Sequence, residues 1–220
     1  LYAGDRLVSY DYDPEAGRAL LEDVGWVDTD GDGVREANGV EGVPDGTLLE
    51  FKWQSTTASM RVQYMQIFQQ NLAECGFQVN LENLPAAEYF ADGPEGPLFG
   101  RQFDLGSFAW LTGVEPPCDL YLGSQTPSEE NGWAGQNNAG FMNDEYDAAC
   151  TRAITALPGS DDYVEGHLES QRIFSEQLPV VPLFLRIKLA ATRPEVQGFV
   201  MDPTENSEMW NIETLDLVTE

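Results

Sequence analysis

The feature that most constrains this chain is a strand–helix–strand unit between residues 47 and 84. Thr47 to Gln54, TLLEFKWQ, alternates in the manner of a strand, and Ser55 to Thr57 can cap the helix that follows. Along that helix Met60, Tyr64, Ile67, Phe68, Leu72 and Cys75 recur at helical spacing. Gly76 ends it, and Phe77 to Leu84, FQVNLENL, reads as the next strand. A helical connection of this kind returns the chain parallel to its first strand, so the expected class is α/β, a mixed, mostly parallel sheet flanked by helices.

A second stretch, FDLGSFAWLTGVEPPCDLY from Phe103 to Tyr121, begins like a strand and ends like an open loop. Asp104 to Trp110 carries no Lys, Arg or Glu, which suits a central strand covered on both faces. In open α/β sheets ligands sit outside the carboxyl ends of the strands, so Trp110 either marks a binding rim or caps the core. The loop from Leu111 to Asn143 is much longer than ordinary connections. It carries Glu115, Cys118, Tyr121, Trp133 and the amide run Gln136, Asn137, Asn138. Aromatics with amides suit a peptide or a sugar, and they equally suit an ordered surface loop held by its own hydrogen bonds.

Charge narrows the partners. Thirty-eight acidic residues against eleven basic ones give a net charge of −27, which opposes phosphate backbones and anionic lipid; nucleic acid is not an expected partner. The longest apolar run, Leu178 to Leu185, is broken by Pro179 and Pro182 and is too short to span a membrane. The opening LYAGDRLVSYDYDPE has neither an initiator methionine nor a signal-like segment, and is expected to lie inside a longer protein. With one histidine and no GxSxG, HExxH or P-loop, no enzyme chemistry is expected. Carboxylates are abundant enough for a glycosidase-type acid pair, but no particular pair stands out.

Near the start, Asp13, Pro14 and Glu15 open a helix with Leu20, Leu21 and Val24 on one face, Gly25 as its stop and Trp26 packing back. The loop DTDGDGVRE follows. Asp28, Asp30 and Asp32 at alternate positions before Gly33, with the Val34 carbonyl, match the first half of a calcium-binding EF-hand loop. Position twelve would be a bidentate Glu but is Gly39, leaving Glu36, and beyond it Glu41, to complete the shell. A structural Ca²⁺ held by Asp28, Asp30, Asp32, Val34 and Glu36 is the expectation; a loop of Asx turns without an ion is the alternative.

Farther on, Asn143 or Asp144 caps a helix with Tyr146, Ala149, Cys150, Ala153, Ile154 and Leu157 in an apolar stripe. A bridge between Cys118 and Cys150 would tie the long loop to that helix, and loop entropy gives it roughly 3 to 4 kcal/mol. Two buried thiols are the alternative, and an exported protein favours the bridge. Ser160 caps another helix, with Tyr163, Val164, Leu168, Phe174 and Leu178 on one side and His167 beside them, a histidine expected in the core. Val180 to Ile187, VVPLFLRI, is apolar enough for a central strand, and short extended pieces follow in ATRPEVQGF and EMWNIETLDL.

In order, YDPEAGRALLEDVGW, DTDGDGVRE, FQQNLAECGFQVNL, FDLGSFAW, NNAGFMNDEYDAAC and ESQRIFSEQLPVVPLF resemble the carboxyl-terminal lobe of family 5 extracellular solute-binding proteins, the peptide, dipeptide and nickel receptors of ABC importers. The resemblance covers nearly the whole chain. It implies one lobe of a type II periplasmic-binding-protein-like fold, spanning residues 1–220, with the N-terminal lobe absent and about 195–220 packing toward it. It also implies a small solute, an oligopeptide or other, bound in an interlobe cleft by hinge closure, an ABC permease as membrane partner, and an extracytoplasmic parent protein with an export signal and a membrane tether. The cleft residues would be Phe108, Trp110, Thr112, Gly113, Glu115, Trp133 and Asn137. Peptide receptors of this family place an aspartate after the tryptophan to hold the ligand's amino terminus; here Glu115 is the only nearby acid. Two other classes compete: a calcium-stabilised extracellular carbohydrate-binding or adhesion domain, and an acid-pair glycoside hydrolase.

Overall fold

The structure, a computed structural model, describes residues 3–111, 113–185 and 187–218. The chain divides into two compact units, Val8–Phe108 with Tyr121–Met142, and Leu1–Leu7 with Ala109–Leu120 and Asn143–Glu220.

In the first unit, helix α1 (Pro14–Asp23) begins where sequence places it, because Asp13 Oδ1 accepts the Ala16 N–H at 2.9 Å and Pro14 needs no donor there. Strands β1 (Trp26–Val27) and β2 (Glu36–Ala37) pair antiparallel and bracket the acidic loop. The strand–helix–strand unit follows as β3 (Glu50–Thr56), α2 (Ser59–Ala73) and β4 (Gln78–Leu84). β3 and β4 are parallel, in register from Glu50 opposite Gln78 to Thr56 opposite Leu84. After the short helix α3 (Ala86–Tyr89), β5 (Leu105–Gly106) joins parallel to β3, giving the sheet order β4-β3-β5.

Trp53, Met65 and Val79 form the buried centre under that sheet, packed by Phe51, Tyr64, Phe68, Leu72, Phe77 and Leu81. The helix stripe is therefore centred on Tyr64, Met65, Phe68 and Leu72, while Met60 and Ile67 of the expected face are exposed. The central strand is β3, and the expectation for 104–110 is corrected to a two-residue outer strand. Asp104 does not continue the ladder. Its carboxylate accepts the Lys52 backbone N–H at 2.8 Å, so a side chain stands where strand pairing would have run.

Arg35 closes this unit from within. It is buried, and its guanidinium donates to the carbonyls of Cys75 (2.9 Å) and Trp26 (2.7 Å) and to Glu22 Oε1 (3.0 Å). One side chain thereby ties the end of α2, β1 and α1 together. Gly76, at φ +90°, lies so close that a Cβ there would meet Arg35 Cγ at 2.6 Å.

In the second unit, α4 (Asp144–Thr155) and α5 (Asp161–Gln177) form a helical pair, capped by Asn143 on the Tyr146 N–H and by Ser160 on the Tyr163 N–H. Tyr146, Ala149, Cys150 and Ala153 are buried along α4, and Tyr163, Gly166, His167, Ser170 and Ile173 along α5. Ile154 and Leu157, expected in the apolar stripe, are exposed. Gly166 is the point of closest approach: a Cβ there would sit 2.7 Å from Ala153 N and 2.8 Å from Ala149 O. Strands β6 (Val196–Gln197) and β7 (Asp216–Leu217) pair antiparallel, matching the two short extended pieces read from sequence. The expected central strand Val180–Ile187 is not one among the described residues. No strand pairs with it, Pro179 and Pro182 supply no N–H, and Val181, Leu183, Leu185 and Ile187 are exposed.

Candidate functional site

At the carboxyl ends of β3 and β5, in the first unit, the Ser107 carbonyl accepts from Ser55 Oγ (2.6 Å) and from Arg61 Nη1 (2.8 Å). Tyr64 Oη donates to Ser107 Oγ at 3.0 Å. Among the described residues Arg61 is paired with no carboxylate, and the N-terminus of α2 has no side-chain cap because Ala58 occupies the capping position. A guanidinium and uncapped helix amides on one edge can receive a carboxylate or similar anion. Sequence reading passed over Arg61; its signal was a cation in the first helical turn, where an acid is the favoured residue. Phe108 stands edge-on to Phe90, ring centroids 6.2 Å apart, beside this edge. Burial pushes the Tyr89 phenol's pKa up, so it stays protonated.

The long loop's other candidates divide by environment. Asn137 is fully buried, its Nδ2 lying within hydrogen-bond reach of the Tyr121, Leu122 and Phe141 carbonyls while Oδ1 accepts the Phe141 N–H at 3.0 Å. The asparagine thus holds residues 121–141 in shape. Trp133 is half-buried at φ +62°, with its indole so close to Gly93 that a Cβ there would lie 2.6 Å from the ring.

In the second unit, Trp110 is half-buried, Gly113 is exposed with open space around its Cα, and Thr112 lies outside the described residues. Glu115 is exposed, yet its Oε1 accepts a 2.6 Å hydrogen bond from Tyr163 Oη. That bond raises the Tyr163 pKa, with burial adding to it. Tyr163 in turn meets His167 edge-on at 4.8 Å. Burial pushes the His167 pKa down, against the pull of Glu115's charge, so the imidazole is held neutral inside the helical pair. Three residues past Glu115, Cys118 is bonded to Cys150 of α4, with Cα atoms 5.7 Å apart, and the Cys118 carbonyl accepts from Tyr146 Oη at 2.8 Å. The loop carrying Glu115 is anchored to the helical pair at two points.

Asp28, Asp30, Asp32 and Glu36 each bring a carboxylate oxygen within 4.8 Å of the others. Asp28 accepts from the Gly31 and Gly33 N–H groups, Asp30 from Asp32 and Asp32 from Val34, which gathers the loop around its own backbone. Glu36 is buried, with Oε2 taken by the N–H and hydroxyl of Thr29. Glu41 is not in the group. The donor set is all hard oxygen, as calcium requires.

Comparison with known proteins places this geometry. Residues 2–132 match the model of the bacterial extracellular solute-binding proteins, family 5 middle. The chain is 25% identical over 202 residues to heme-binding protein A of Haemophilus influenzae, covering 90% of this chain and 32% of that protein. It is 26% identical over 201 residues to di/tripeptide-binding protein 2 of Pseudomonas aeruginosa, covering 90% and 33%. Among solved structures it is similar to the oligopeptide-binding protein of Thermus thermophilus complexed with a pentapeptide, with a TM-score of 0.75 at 25% identity over 88% of this chain and 33% of that one. The chain therefore spans about a third of the length of the relatives it matches. These relatives are binding proteins, and the fold is the α/β fold of periplasmic binding proteins. The match over more than half its length assigns the chain to the family 5 bacterial extracellular solute-binding proteins.

Proposed function

We propose that this chain is the carboxyl-terminal lobe of an extracytoplasmic receptor for an ABC importer. In that role it would bind a peptide-like solute in a cleft against a second lobe and present the closed form to a membrane permease. Glu115 carries the reading. An exposed carboxylate is ordinarily mobile; this one is fixed by Tyr163 on a loop anchored through Cys118, leaving Oε2 for a ligand's ammonium group. Preorganisation of that kind strengthens binding because less ordering is required when the ligand arrives. The peptide- and dipeptide-binding relatives support the same solute class. In the full-length polypeptide, Glu115→Gln should weaken binding of a defined di- to pentapeptide pool about 10- to 100-fold, measured by calorimetry, as the loss of one charge-assisted hydrogen bond predicts. Acetylating the peptides' amino termini should reproduce that loss on wild type and add little on the variant. Equal affinity of wild type and variant would remove Glu115 from the site.

Asp28, Asp30, Asp32, the Val34 carbonyl and Glu36 would hold a structural calcium ion, which would neutralise the clustered acids and fix the link between β1 and β2. Adding calcium to chelator-treated protein at 100 times its Kd should stabilise the fold by about 2.7 kcal/mol, read as a rise in Tm. Asp28→Asn with Asp30→Asn should abolish the rise. An unchanged Tm at millimolar calcium would leave the loop as a set of Asx turns.

A further inference from the structure

From Val181 to Leu189 the odd positions are all large and apolar, Val181, Leu183, Leu185, Ile187 and Leu189, whereas the even positions end in Arg186 and Lys188. That is the period of a strand with one apolar face. The structure gives the two faces opposite fates. Lys188 Nζ turns to the chain itself, donating to the carbonyls of Asp202 and Glu205 and standing 3.6 Å from Glu208 Oε1. The apolar set has no cover: Leu185, Ile187 and Leu189 are 93%, 83% and 89% exposed, and Val181 is 65% exposed. Among the described residues, the backbone groups of these apolar positions make no hydrogen bond to other backbone. An apolar face joined to unpaired strand edges is an aggregation hazard that folded proteins avoid by pairing and covering it.

We infer that residues 181–189 form a β-strand in a sheet supplied by the same polypeptide outside residues 1–220, with the odd-numbered side chains turned onto that body's apolar layer. The inference rests on the receptor reading for the existence of that further chain, since relatives matched over 90% of this sequence are about three times its length. Lys188 on the opposite face, engaged with 202–208, sets which side docks. The partner this surface fits is therefore an apolar sheet with an open edge, joined by main-chain pairing.

The test compares two polypeptides, the 220-residue chain and the full-length protein read from its coding frame, each as wild type and as Leu185→Asp with Ile187→Asp. Because both side chains are exposed in the short chain, its Tm should be unchanged by the substitutions. In the full-length protein the same pair should lower Tm by about 5 °C or more, as expected when two buried apolar side chains are lost from a large domain. Amides 183–189 should exchange at least tenfold more slowly in the full-length wild type than in the short chain. Unprotected amides in the full-length protein, or an equal Tm response in both polypeptides, would overturn the inference. So would protection in the short chain that rises with concentration and coincides with dimer mass, which would assign the face to a second copy. Binding of the peptide pool is scored separately: protected amides without peptide binding would remove the receptor reading and leave the strand assignment standing.

Discussion

Replacing Gly166 by leucine should all but separate the α4–α5 pair, at a cost of about 4 kcal/mol, toward the upper end of what overpacking does to a core. The reason is geometric. Even a methyl group at this position would meet Ala153 N at 2.7 Å and Ala149 O at 2.8 Å, atoms of a helix backbone that cannot step aside. Gly166→Ala is the milder case: alanine gains about 1 kcal/mol of helix propensity, and the clash offsets it, leaving a net loss. Thermal unfolding followed by circular dichroism should show Tm about 10 °C lower for the leucine variant, at 2 to 4 °C per kcal/mol for a chain of this size. A shift of under a degree would mean the helices do not pack through Gly166. The Cys118–Cys150 bond and the Glu115–Tyr163 contact hang on the same pair, so solute binding should fall with it.

Arg35→Met should destabilise the other unit by about 3 kcal/mol, because hydrogen bonds to a charged group contribute about 1.5 to 3 kcal/mol each and the carbonyls of Cys75 and Trp26 would lose their donor. Methionine keeps the apolar stem in contact with Gly76, so the loss reports the guanidinium. The ion pair with Glu22 adds little, since that carboxylate is 58% exposed and screened by solvent. Arg35 stands directly before Glu36, and loosening it should also weaken calcium binding at the adjacent loop. Urea unfolding at fixed calcium checks the first effect and a calcium titration the second; a midpoint unchanged by the substitution would show that Arg35 is replaceable by packing alone.

Local signals in this sequence were readable where a few neighbouring residues decide the outcome. Asp13, Asn143 and Ser160 each cap the helix they precede, and the alternation of 47–54 and 77–84 around one helix dictates a parallel pair. Apolarity misled where it had to stand for a partner. The 104–110 stretch looked central, yet Asp104 bonds Lys52 and leaves a two-residue strand; 180–187 looked central, yet nothing in the described chain pairs with it. Arg35 and Arg61 were invisible because their roles come from carbonyls supplied by distant elements. Asn137 illustrates the converse: the amide run around it was legible, while its four-way commitment to the loop depends on how residues 121–141 close. Glu115 stood out as the acid after Trp110, but Tyr163, 48 residues away, is what fixes it.

The central claim, a lobe that closes on solute, is tested most directly by small-angle scattering of the full-length polypeptide titrated with the di- to pentapeptide pool. Hinge closure predicts a saturable fall in the radius of gyration, with the same midpoint as the calorimetric binding curve and absent when the peptides are acetylated. Peptide binding at an unchanged radius of gyration would contradict closure, and no binding at any peptide length would contradict a peptide receptor.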